Sequence, residues 1–373
     1  MELIISKDSF ESLLLKLQGV SEKRHAIPVL SHFLLSAREG KIFATATDLD
    51  IVMKGVTEAD VKREGEYLVP TRKMLDITRV LPTETVSLEL LENGYLSVTS
   101  GKSRFRISGL PAKEFPELPG KEKGDEFSVQ GGNFKFMIDR VIPFVATEDS
   151  RTETTGVFME KVVSDEEESL RLVGTDGHRL SYVEESVSGL PDKLTEGIIV
   201  PRKGIQEIRK MLDGDGGELQ LSLGKSFIST ERDGFEIMVR LIGAEFPAYR
   251  EVVPSTFTRT VVIDREQFSD VLRRVSVIAM EKLKTVLFAI REGEVEVTST
   301  SPDFGEGKDF FEAETEGEEI KVGFNARYLL DVASASSGDK LVMEIVNEMS
   351  PVLFKPQGRK DFLAVVMPIR TTV

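Results

Sequence analysis

Apolar residues recur along the chain at two spacings, one typical of helices and one typical of strands. Leu13, Leu14 and Leu17 fall on one face of a predicted helix. Ile42 and Ala44 alternate with their neighbours in a pattern that predicts a half-buried strand. The order helix, strands, helix, strands returns in each third of the chain. Each third is therefore predicted to be α+β, with two helices backed by antiparallel sheet.

Short turn sequences separate the alternating runs. Asn93-Gly94 lies between two such runs in the first third, and Gly224-Lys225 and Asp233-Gly234 follow in the second. Asn-Gly and Asp-Gly readily adopt the left-handed conformations that two-residue hairpin turns require. These positions therefore predict β-hairpins.

Sequence landmarks recur in the same order. A phenylalanine opens a helical pattern, a strand ending in proline precedes a second helix, and a residue before proline closes each third. The repeated segments are Phe10, Phe134 and Phe268; Val69-Pro70-Thr71-Arg72-Lys73 and Val200-Pro201-Arg202-Lys203; and Phe115-Pro116, Phe246-Pro247 and Met367-Pro368. Such repetition indicates tandem copies of one structural unit. Three copies of one domain are predicted, at residues 1–121, 122–251 and 252–373.

Composition excludes several classes of site. The chain has 373 residues and no cysteine, which rules out disulfides, thiolate catalysis and cysteine-bound zinc. Its three histidines, His25, His32 and His178, are too scattered for a multi-histidine metal site. No apolar stretch approaches the roughly 20 residues of a membrane helix, and no signal-peptide pattern opens the chain. We expect no cofactor, no metal, no membrane partner and a cytoplasmic location.

Charge is unevenly distributed. The net charge is −15, yet the helices predicted over residues 71–80 and 202–212 carry net charges of +2 and +3. Lysines and arginines on solvated helix faces are the commoner cause of such a pattern. The alternative is a basic helical surface on an acidic body, which suits weak, sequence-independent contact with phosphates.

Catalytic motifs are almost absent. The sequence has no phosphate-binding loop, no dinucleotide-binding glycine pattern after the first strand, no nucleophile elbow and no His-Glu-x-x-His. Asp176 and His178 would suit acid–base work in a hydrolase. Thr47-Asp48 stands at the equivalent place 128 residues earlier, without a histidine. We therefore interpret Thr175-Asp176 as a turn whose aspartate accepts backbone hydrogen bonds, and we predict no catalytic residue.

Two other segments stand out. Arg24 precedes an apolar run and is, by itself, best explained as a solvated loop residue. The terminal run from Phe362 to Arg370 is apolar, although exposed chain ends are normally trimmed or charged. Either it is a buried last strand, or Met367, Pro368 and Ile369 line an apolar groove for a partner peptide. The residues alone leave both open.

With these residues in view, the whole chain resembles the bacterial sliding clamps, the beta subunits of DNA polymerase III. The last two of the following segments are the most diagnostic. The resemblance rests on Ile27-Pro28-Val29-Leu30-Ser31, Ala46-Thr47-Asp48-Leu49, Val69-Pro70-Thr71-Arg72-Lys73, Ser103-Arg104-Phe105, Ile199-Val200-Pro201-Arg202-Lys203-Gly204, Thr175-Asp176-Gly177-His178-Arg179-Leu180 and Val365-Val366-Met367-Pro368-Ile369-Arg370.

The resemblance implies three DNA-clamp domains per chain, with two chains arranged head to tail in a six-domain ring around duplex DNA. The implied function is that of a processivity factor that tethers DNA polymerase and has no catalytic activity. Implied partners are the polymerase III alpha subunit and other polymerases, an ATP-driven clamp loader, and mismatch-repair and ligase-type proteins bound through short peptide motifs. The implied location is nucleoid-associated and cytoplasmic.

Ring closure also suits the residues themselves. Tandem repeats leave a free sheet edge at each end of the chain, and a closed symmetric assembly removes both edges. Twelve helices about 10 Å apart describe a circle about 38 Å across their axes. Subtracting about one helix diameter leaves a bore of about 28 Å, which admits a duplex. A basic lining would then explain the charge distribution.

The resemblance assigns residues to three surfaces. The peptide-binding groove comprises Thr175, Gly177, His178, Arg179, Leu180, Pro247, Val252, Val365, Val366, Met367, Pro368, Ile369 and Arg370. The DNA-binding residues are Arg24, Arg72, Arg151, Arg202, Lys203, Arg209 and Lys210. The dimer interface pairs Lys73, Arg104 and Phe105 of one chain with Val277 and Ile278 of the other.

The chain departs from the family pattern at two places. Glu251 and Pro351 stand where an arginine and a serine are common beside the groove, so a different peptide preference is expected. Thr152 and Glu153 replace aromatic residues that touch DNA, so Arg151 alone is retained from that loop. Two alternatives stay open: a monomeric interaction scaffold that does not encircle DNA, and the hydrolase described above.

Overall fold

The computed structural model describes residues 1–21, 27–120, 122–148, 151–164, 167–214, 216–278 and 284–370. Arg24, a predicted DNA contact, lies outside these residues. Close contacts divide the chain into two units. One contains Met1–Gly131 and Gln206–Leu241, and the other contains Gly132–Ile205 and Ile242–Val373. Each unit therefore contains part of the central third of the chain.

The first unit contains helices α1 (Lys7–Gln18) and α2 (Thr71–Val80) and two antiparallel sheets. The five-stranded sheet has the spatial order β5 (Asp60–Arg63), β1 (Glu2–Ser6), β7 (Thr85–Leu90), β8 (Tyr95–Ser100) and β9 (Ser103–Ser108). The eight-stranded sheet has the order β10 (Asp125–Gln130), β15 (Glu218–Leu223), β16 (Phe227–Arg232), β17 (Phe235–Arg240), β4 (Ile51–Glu58), β3 (Lys41–Thr47), β2 (His32–Arg38) and β6 (Gly65–Pro70).

The second unit contains helices α5 (Arg265–Val275) and α6 (Ala326–Ala335) and one twelve-stranded sheet. Helices α3 (Gly131–Val141) and α4 (Arg202–Met211) span the sequence positions at which the units divide. The sheet has the order β14 (Ile198–Pro201), β11 (Gly156–Ser164), β12 (Glu167–Thr175), β13 (Arg179–Ser186), β25 (Phe362–Val366), β24 (Val352–Pro356), β23 (Lys340–Ile345), β18 (Arg259–Asp264), β21 (Gly305–Glu316), β20 (Glu294–Ser301), β19 (Thr285–Arg291) and β22 (Ile320–Asn325).

The predicted periodicities are confirmed in the first unit. Leu13, Leu14 and Leu17 are fully buried on α1, and Ile42 and Ala44 are fully buried on β3. A helix with one apolar face and a strand with alternate buried positions stabilise the same core, because each removes apolar surface from water.

The predicted turns are also confirmed. Gly94 has φ +80° between β7 and β8, and Asp233 and Gly234 have φ +52° and +77° between β16 and β17. Both positive values at the second turn agree with the two-residue hairpin geometry that Asp-Gly favours. Among the described residues, no helix is long and apolar enough to cross a membrane, and no cluster of acidic or histidine side chains could hold a metal ion.

Candidate functional site

The turn that joins β12 to β13 is held by its own polar side chains. Thr175 Oγ1 accepts the N–H of Gly177 at 3.1 Å and donates to the carbonyl of Arg179 at 2.8 Å. Asp176 Oδ1 accepts the backbone N–H groups of His178 and Arg179, each at 3.0 Å. Its Oδ2 accepts Nε of Arg179 at 2.9 Å. Both carboxylate oxygens of Asp176 are thus engaged in fixing the turn.

The same turn occurs between β3 and β4. Thr47 Oγ1 accepts the N–H of Leu49 at 3.0 Å and donates to the carbonyl of Ile51 at 2.8 Å. Asp48 Oδ1 accepts the N–H groups of Asp50 and Ile51 at 3.1 and 2.7 Å. The interpretation of the Thr-Asp pair as a turn is therefore confirmed in both copies.

An apolar pocket of about 140 Å³ opens beside the 175–179 turn. The second unit supplies its whole lining, including a short 3-10 turn at Tyr249–Val252. Three lining residues, Leu180, Tyr249 and Val365, also belong to a buried apolar cluster. The lining residues are Arg151, Thr154, Thr175, Gly177, His178, Arg179, Leu180, Pro247, Ala248, Tyr249, Val252, Val365 and Met367. A concave apolar surface with a few polar groups is typical of a binding site for a short hydrophobic segment.

The end of the chain forms one side of this pocket. The N–H of Met367 donates to the carbonyl of His178 at 2.9 Å, which extends the pairing of β25 with β13. The N–H of Ile369 then donates to the carbonyl of Gly323 in β22 at 2.8 Å. These two bonds hold the terminal segment in an extended course and leave the Met367 side chain 39% exposed.

Arg151 and Gly177 are in close contact at the pocket. Arg151 Nη2 donates to the carbonyl of Asp176 at 3.2 Å. Gly177 has φ +82°, and a Cβ at this position would lie 2.6 Å from the Arg151 guanidinium. A side chain at position 177 would therefore displace Arg151 as well as strain the backbone.

A buried polar network supports the 3-10 turn. Glu160, which is 3% exposed, accepts hydrogen bonds from the hydroxyl of Tyr249 and from Arg250 Nη2 at 2.8 Å. Arg171 Nη1 donates to the Tyr249 hydroxyl at 2.6 Å. Burial, followed by the bond to Glu160, raises the pKa of Tyr249 to about 12. Tyr249 therefore stays protonated at neutral pH and keeps its donor for Glu160.

Nine of the thirteen residues predicted for the groove line this pocket. Val366 is fully buried behind the lining. Pro368, Ile369 and Arg370 continue the terminal segment outside the pocket lining. The lining members of the predicted set are Thr175, Gly177, His178, Arg179, Leu180, Pro247, Val252, Val365 and Met367.

Four lining residues were not predicted for the groove. Thr154, Ala248 and Tyr249 were not selected at all, and Arg151 was assigned to DNA. Tyr249 follows Pro247 by two positions, and an aromatic residue this close to a predicted groove residue was the available signal. The others reach the pocket through tertiary contacts that no spacing in the sequence reveals.

The predicted DNA-contacting cations lie in different environments. Arg72 is exposed on α2. On α4, Lys210 is exposed and binds Glu207 at 2.6 Å, while Arg209 binds Asp213 at 3.4 Å. The Arg209–Asp213 pair is accessible to solvent and therefore weak, so Arg209 can exchange its partner for a phosphate at little cost. Glu207 is buried, so Lys210 is held more firmly by its carboxylate.

Arg202 and Lys203 are less accessible. Arg202 is half-buried at the start of α4 and donates through Nη1 to the carbonyls of Ile142 and Val145, at 2.7 and 2.6 Å. Burial, followed by the nearby Arg179 charge, lowers the pKa of Arg202. Lys203 is likewise half-buried.

The predicted interface residues belong to both units of the chain. Arg104 and Phe105 lie on β9, the edge strand of the five-stranded sheet, and Lys73 is exposed on α2. Val277 and Ile278 directly follow α5, where Val277 is 79% exposed.

Comparison with known proteins identifies the family. The N-terminal, central and C-terminal domain models of the DNA polymerase III beta subunit match residues 1–119, 128–248 and 250–370. The chain belongs to the DNA polymerase III beta subunits, the bacterial sliding clamps. Three tandem clamp domains of mixed helix and antiparallel sheet thus make up the chain, and the resemblance inferred from the sequence is confirmed.

Individual sliding clamps are similar along their whole length. The beta sliding clamp of Pseudomonas aeruginosa is 32% identical over 96% of this chain and 98% of its own. That of Escherichia coli K12 is 31% identical with the same coverage. The crystal structure of a sliding clamp from Bartonella birtlesii, bound to griselimycin, has a TM-score of 0.92 and 30% identity, with complete coverage of both chains.

Proposed function

We propose that two copies of this sliding clamp chain close head to tail into a ring around duplex DNA and tether DNA polymerase to its template. The observation that carries the proposal is a junction between strands of successive domains. It occurs twice within the chain, and the first and third domains each keep one strand of a third junction unpaired. Ring closure completes the third junction between two copies.

The two complete junctions have the same construction. In the first, β4 pairs with β17, and Met53 lies opposite Ile237. In the second, β13 pairs with β25, and Ser181 lies opposite Ala364. All four residues are buried. In both junctions, the strand after the Thr-Asp turn pairs with the last strand of the following domain.

Two strands have no partner of this kind within the described part of the chain. β21 is the counterpart of β4 and β13 in the third domain, and β9 is the counterpart of β17 and β25 in the first. Residues 305–312 of β21 pair with β20, and no other described strand pairs with them. β9 pairs with β8 and ends its sheet. Because unpaired edges attract another strand, β9 of a second copy is the natural partner of β21.

The repeats also give the register of this pairing. Met53, Ser181 and Gly307 are equivalent, because each lies opposite a buried residue near the end of the preceding strand. Those residues are Ala46, Gly174 and Ser299. Ile237, Ala364 and Phe105 are each the third residue of their strands. Phe105 of one copy should therefore lie opposite Gly307 of the other.

This register is chemically complementary. A Cβ at Gly307 would lie 3.1 Å from Ile278, so the missing side chain leaves room for Phe105 to pack against Ile278. The next pair along the strands places Arg106 opposite Glu306, and both side chains are exposed. Opposite charges across an antiparallel pair stabilise it.

The DNA and peptide roles rest on two further observations. Exposed cations on α2 and α4 suit contact with a phosphate backbone without reading sequence, which permits sliding. The apolar pocket suits the short apolar segments of polymerases, including the polymerase III alpha subunit, of the clamp loader, and of mismatch-repair and ligase-type proteins. This function places the protein in the cytoplasm, at the nucleoid.

A non-catalytic role agrees with the geometry of the turn. Asp176 contacts His178 through the backbone N–H, and its second oxygen is engaged by Arg179. An acid–base pair needs the carboxylate to orient the imidazole ring instead. The hydrolase alternative is therefore not favoured.

Cysteine cross-linking tests the junction, because the chain has no cysteine of its own. Arg106→Cys combined with Glu306→Cys places two thiols opposite each other, with Cβ atoms about 4.5–5.5 Å apart. Mild oxidation should convert this variant into covalent dimers. Arg106→Cys combined with Lys308→Cys is two residues out of register, about 7–8 Å apart, and should link poorly.

The cross-linked ring then tests encirclement. It should stay on circular DNA in high salt and leave when the circle is cut, because topology rather than affinity retains it. Equal retention on circular and linear DNA would contradict encirclement. A protein that has the mass of a single chain in solution would instead favour the monomeric scaffold.

A further inference from the structure

A polar chamber of about 510 Å³ adjoins the apolar pocket in the second unit. Chamber and pocket share Arg151, His178 and Arg179 as lining residues, so the two spaces are direct neighbours. The end of β22, the start of α6 and the segment after α3 supply other parts of the wall. A ligand in the pocket can therefore extend into the chamber.

The chamber wall has more cations than carboxylates. Five arginine and lysine side chains and three carboxylates line it. Asp176 and Asp331 both bind Arg179, at 2.9 and 2.5 Å. The third carboxylate, Glu148, is exposed. The trio of Arg179 and its two aspartates has a net charge of −1, and the whole set of lining side chains still has an excess of two positive charges.

Three of these cations have no carboxylate partner among the described residues. Arg202 donates to backbone carbonyls, and neither Lys284 nor Arg327 forms an ion pair within the described part of the chain. Lys284 and Arg327 are both solvent-exposed and lie next to the first turn of α6. Unpaired cations in a concave site strengthen the local field and attract an anion.

We propose that a peptide bound in the apolar pocket places an acidic residue in this chamber, where its carboxylate binds Lys284, Arg327 and Arg202. The inference rests on the proposed function and adds a specificity to it. Guanidinium groups bind carboxylates through paired hydrogen bonds, and an ammonium adds a point charge.

A peptide carboxylate suits the chamber better than a DNA phosphate. The chamber adjoins an apolar pocket that has no complement in a phosphate backbone. Its volume accommodates a few side chains, whereas a duplex would present a regular row of phosphates along a convex surface.

Matched peptides test the proposal. The probe is a fluorescein-labelled five-residue apolar peptide, selected from a random library on the wild-type protein. One pair of peptides has Asp-Asp or Asn-Asn added at the N-terminus, and a second pair has the same additions at the C-terminus. For one of the two termini, the Asp-Asp peptide should bind about fivefold more tightly at low salt than the matched Asn-Asn peptide. Raising the ionic strength to about 0.5 M should reduce this advantage.

Reversing the charge of two chamber residues tests whether the chamber causes the higher affinity of the Asp-Asp peptide. In Lys284→Glu with Arg327→Glu, the Asp-Asp advantage should disappear while the Asn-Asn peptide still binds. Lys284→Arg with Arg327→Lys should preserve it. The control, Lys321→Glu with Lys360→Glu, changes the net charge equally at exposed positions outside the pocket and the chamber, and should preserve it too.

Four outcomes would overturn the inference. Equal affinity of the Asp-Asp and Asn-Asn peptides for the wild-type protein would refute the inference and leave the peptide-binding function of the pocket intact. A higher affinity for the Asp-Asp peptide that survives charge reversal in the chamber would do the same. Failure of every apolar peptide to bind would instead refute the peptide-binding function itself. If Lys284→Glu with Arg327→Glu lost duplex DNA binding while the affinities of both peptides stayed unchanged, the chamber would be identified as a phosphate site.

Discussion

The hydroxyl of Tyr249 donates a hydrogen bond to the carboxylate of Glu160, which lies 89 positions earlier in the chain. Both residues are at least 95% buried. Tyr249 opens the 3-10 turn that lines the apolar pocket, and Glu160 lies on β11. The bond therefore holds one wall of the pocket to the sheet beneath it.

Tyr249→Phe should destabilise the protein by about 1–2 kcal/mol, because Glu160 and Arg171 lose a buried partner. Urea unfolding measures the change. The matched control is Tyr182→Phe, which removes a hydroxyl that forms no hydrogen bond within the described part of the structure. An equal loss in both variants would contradict a specific role for the Tyr249–Glu160 bond.

Stability should fall at alkaline pH because of the same tyrosine. Its pKa is raised to about 12 in the folded state, from about 10 in an unfolded chain. The neutral phenol thus stabilises the fold fully below about pH 10, and this contribution is lost as pH rises toward 12. The stability advantage of wild type over Tyr249→Phe should shrink across that range in urea titrations. An advantage independent of pH would show that Tyr249 ionises normally.

Local features of this fold were predictable because they depend on neighbours in sequence. The Thr47-Asp48 and Thr175-Asp176 turns, the hairpin at Asn93-Gly94 and the apolar face of α1 all arise within a few residues. The predicted helix over residues 71–80 has the bounds of α2. The third helix ends at Val141, two residues before Pro143, because proline cannot donate its own hydrogen bond to a continuing helix.

The pairing of strands from different domains could not be predicted from the sequence. The repeats predicted antiparallel sheets in each domain, but the joining of strands from successive domains depends on which edges meet. Glu160 and Arg171 lie opposite each other on the β11–β12 hairpin, but Tyr249 joins them only after a distant segment packs against that hairpin. Spacing in the sequence contains no signal for either contact.

Gly177→Ala should weaken peptide binding more than it destabilises the fold. Its added Cβ would meet the Arg151 guanidinium at 2.6 Å and move that side chain at the pocket. Leu49 adopts φ +83° at the equivalent turn, so the backbone itself tolerates a side chain there. The control is Gly189→Ala, with φ +74° and open space around the added Cβ.

Both variants should lose about 1 kcal/mol in urea unfolding, because an alanine is strained at positive φ. Only Gly177→Ala should also reduce affinity for the apolar peptide, measured by fluorescence anisotropy. An equal affinity in both variants would show that the position of Arg151 does not matter for binding.

Met367→Ala should reduce peptide affinity about tenfold, because the side chain is a half-exposed part of the pocket wall that an apolar ligand would cover. The fold should change little, since the backbone bond from Met367 to His178 does not involve the side chain. Met349→Ala is the matched control: Met349 is 50% exposed and lies outside the pocket. Comparable losses in the two methionine variants would place the peptide elsewhere, whereas a loss confined to Met367→Ala would make the terminal segment a direct contact.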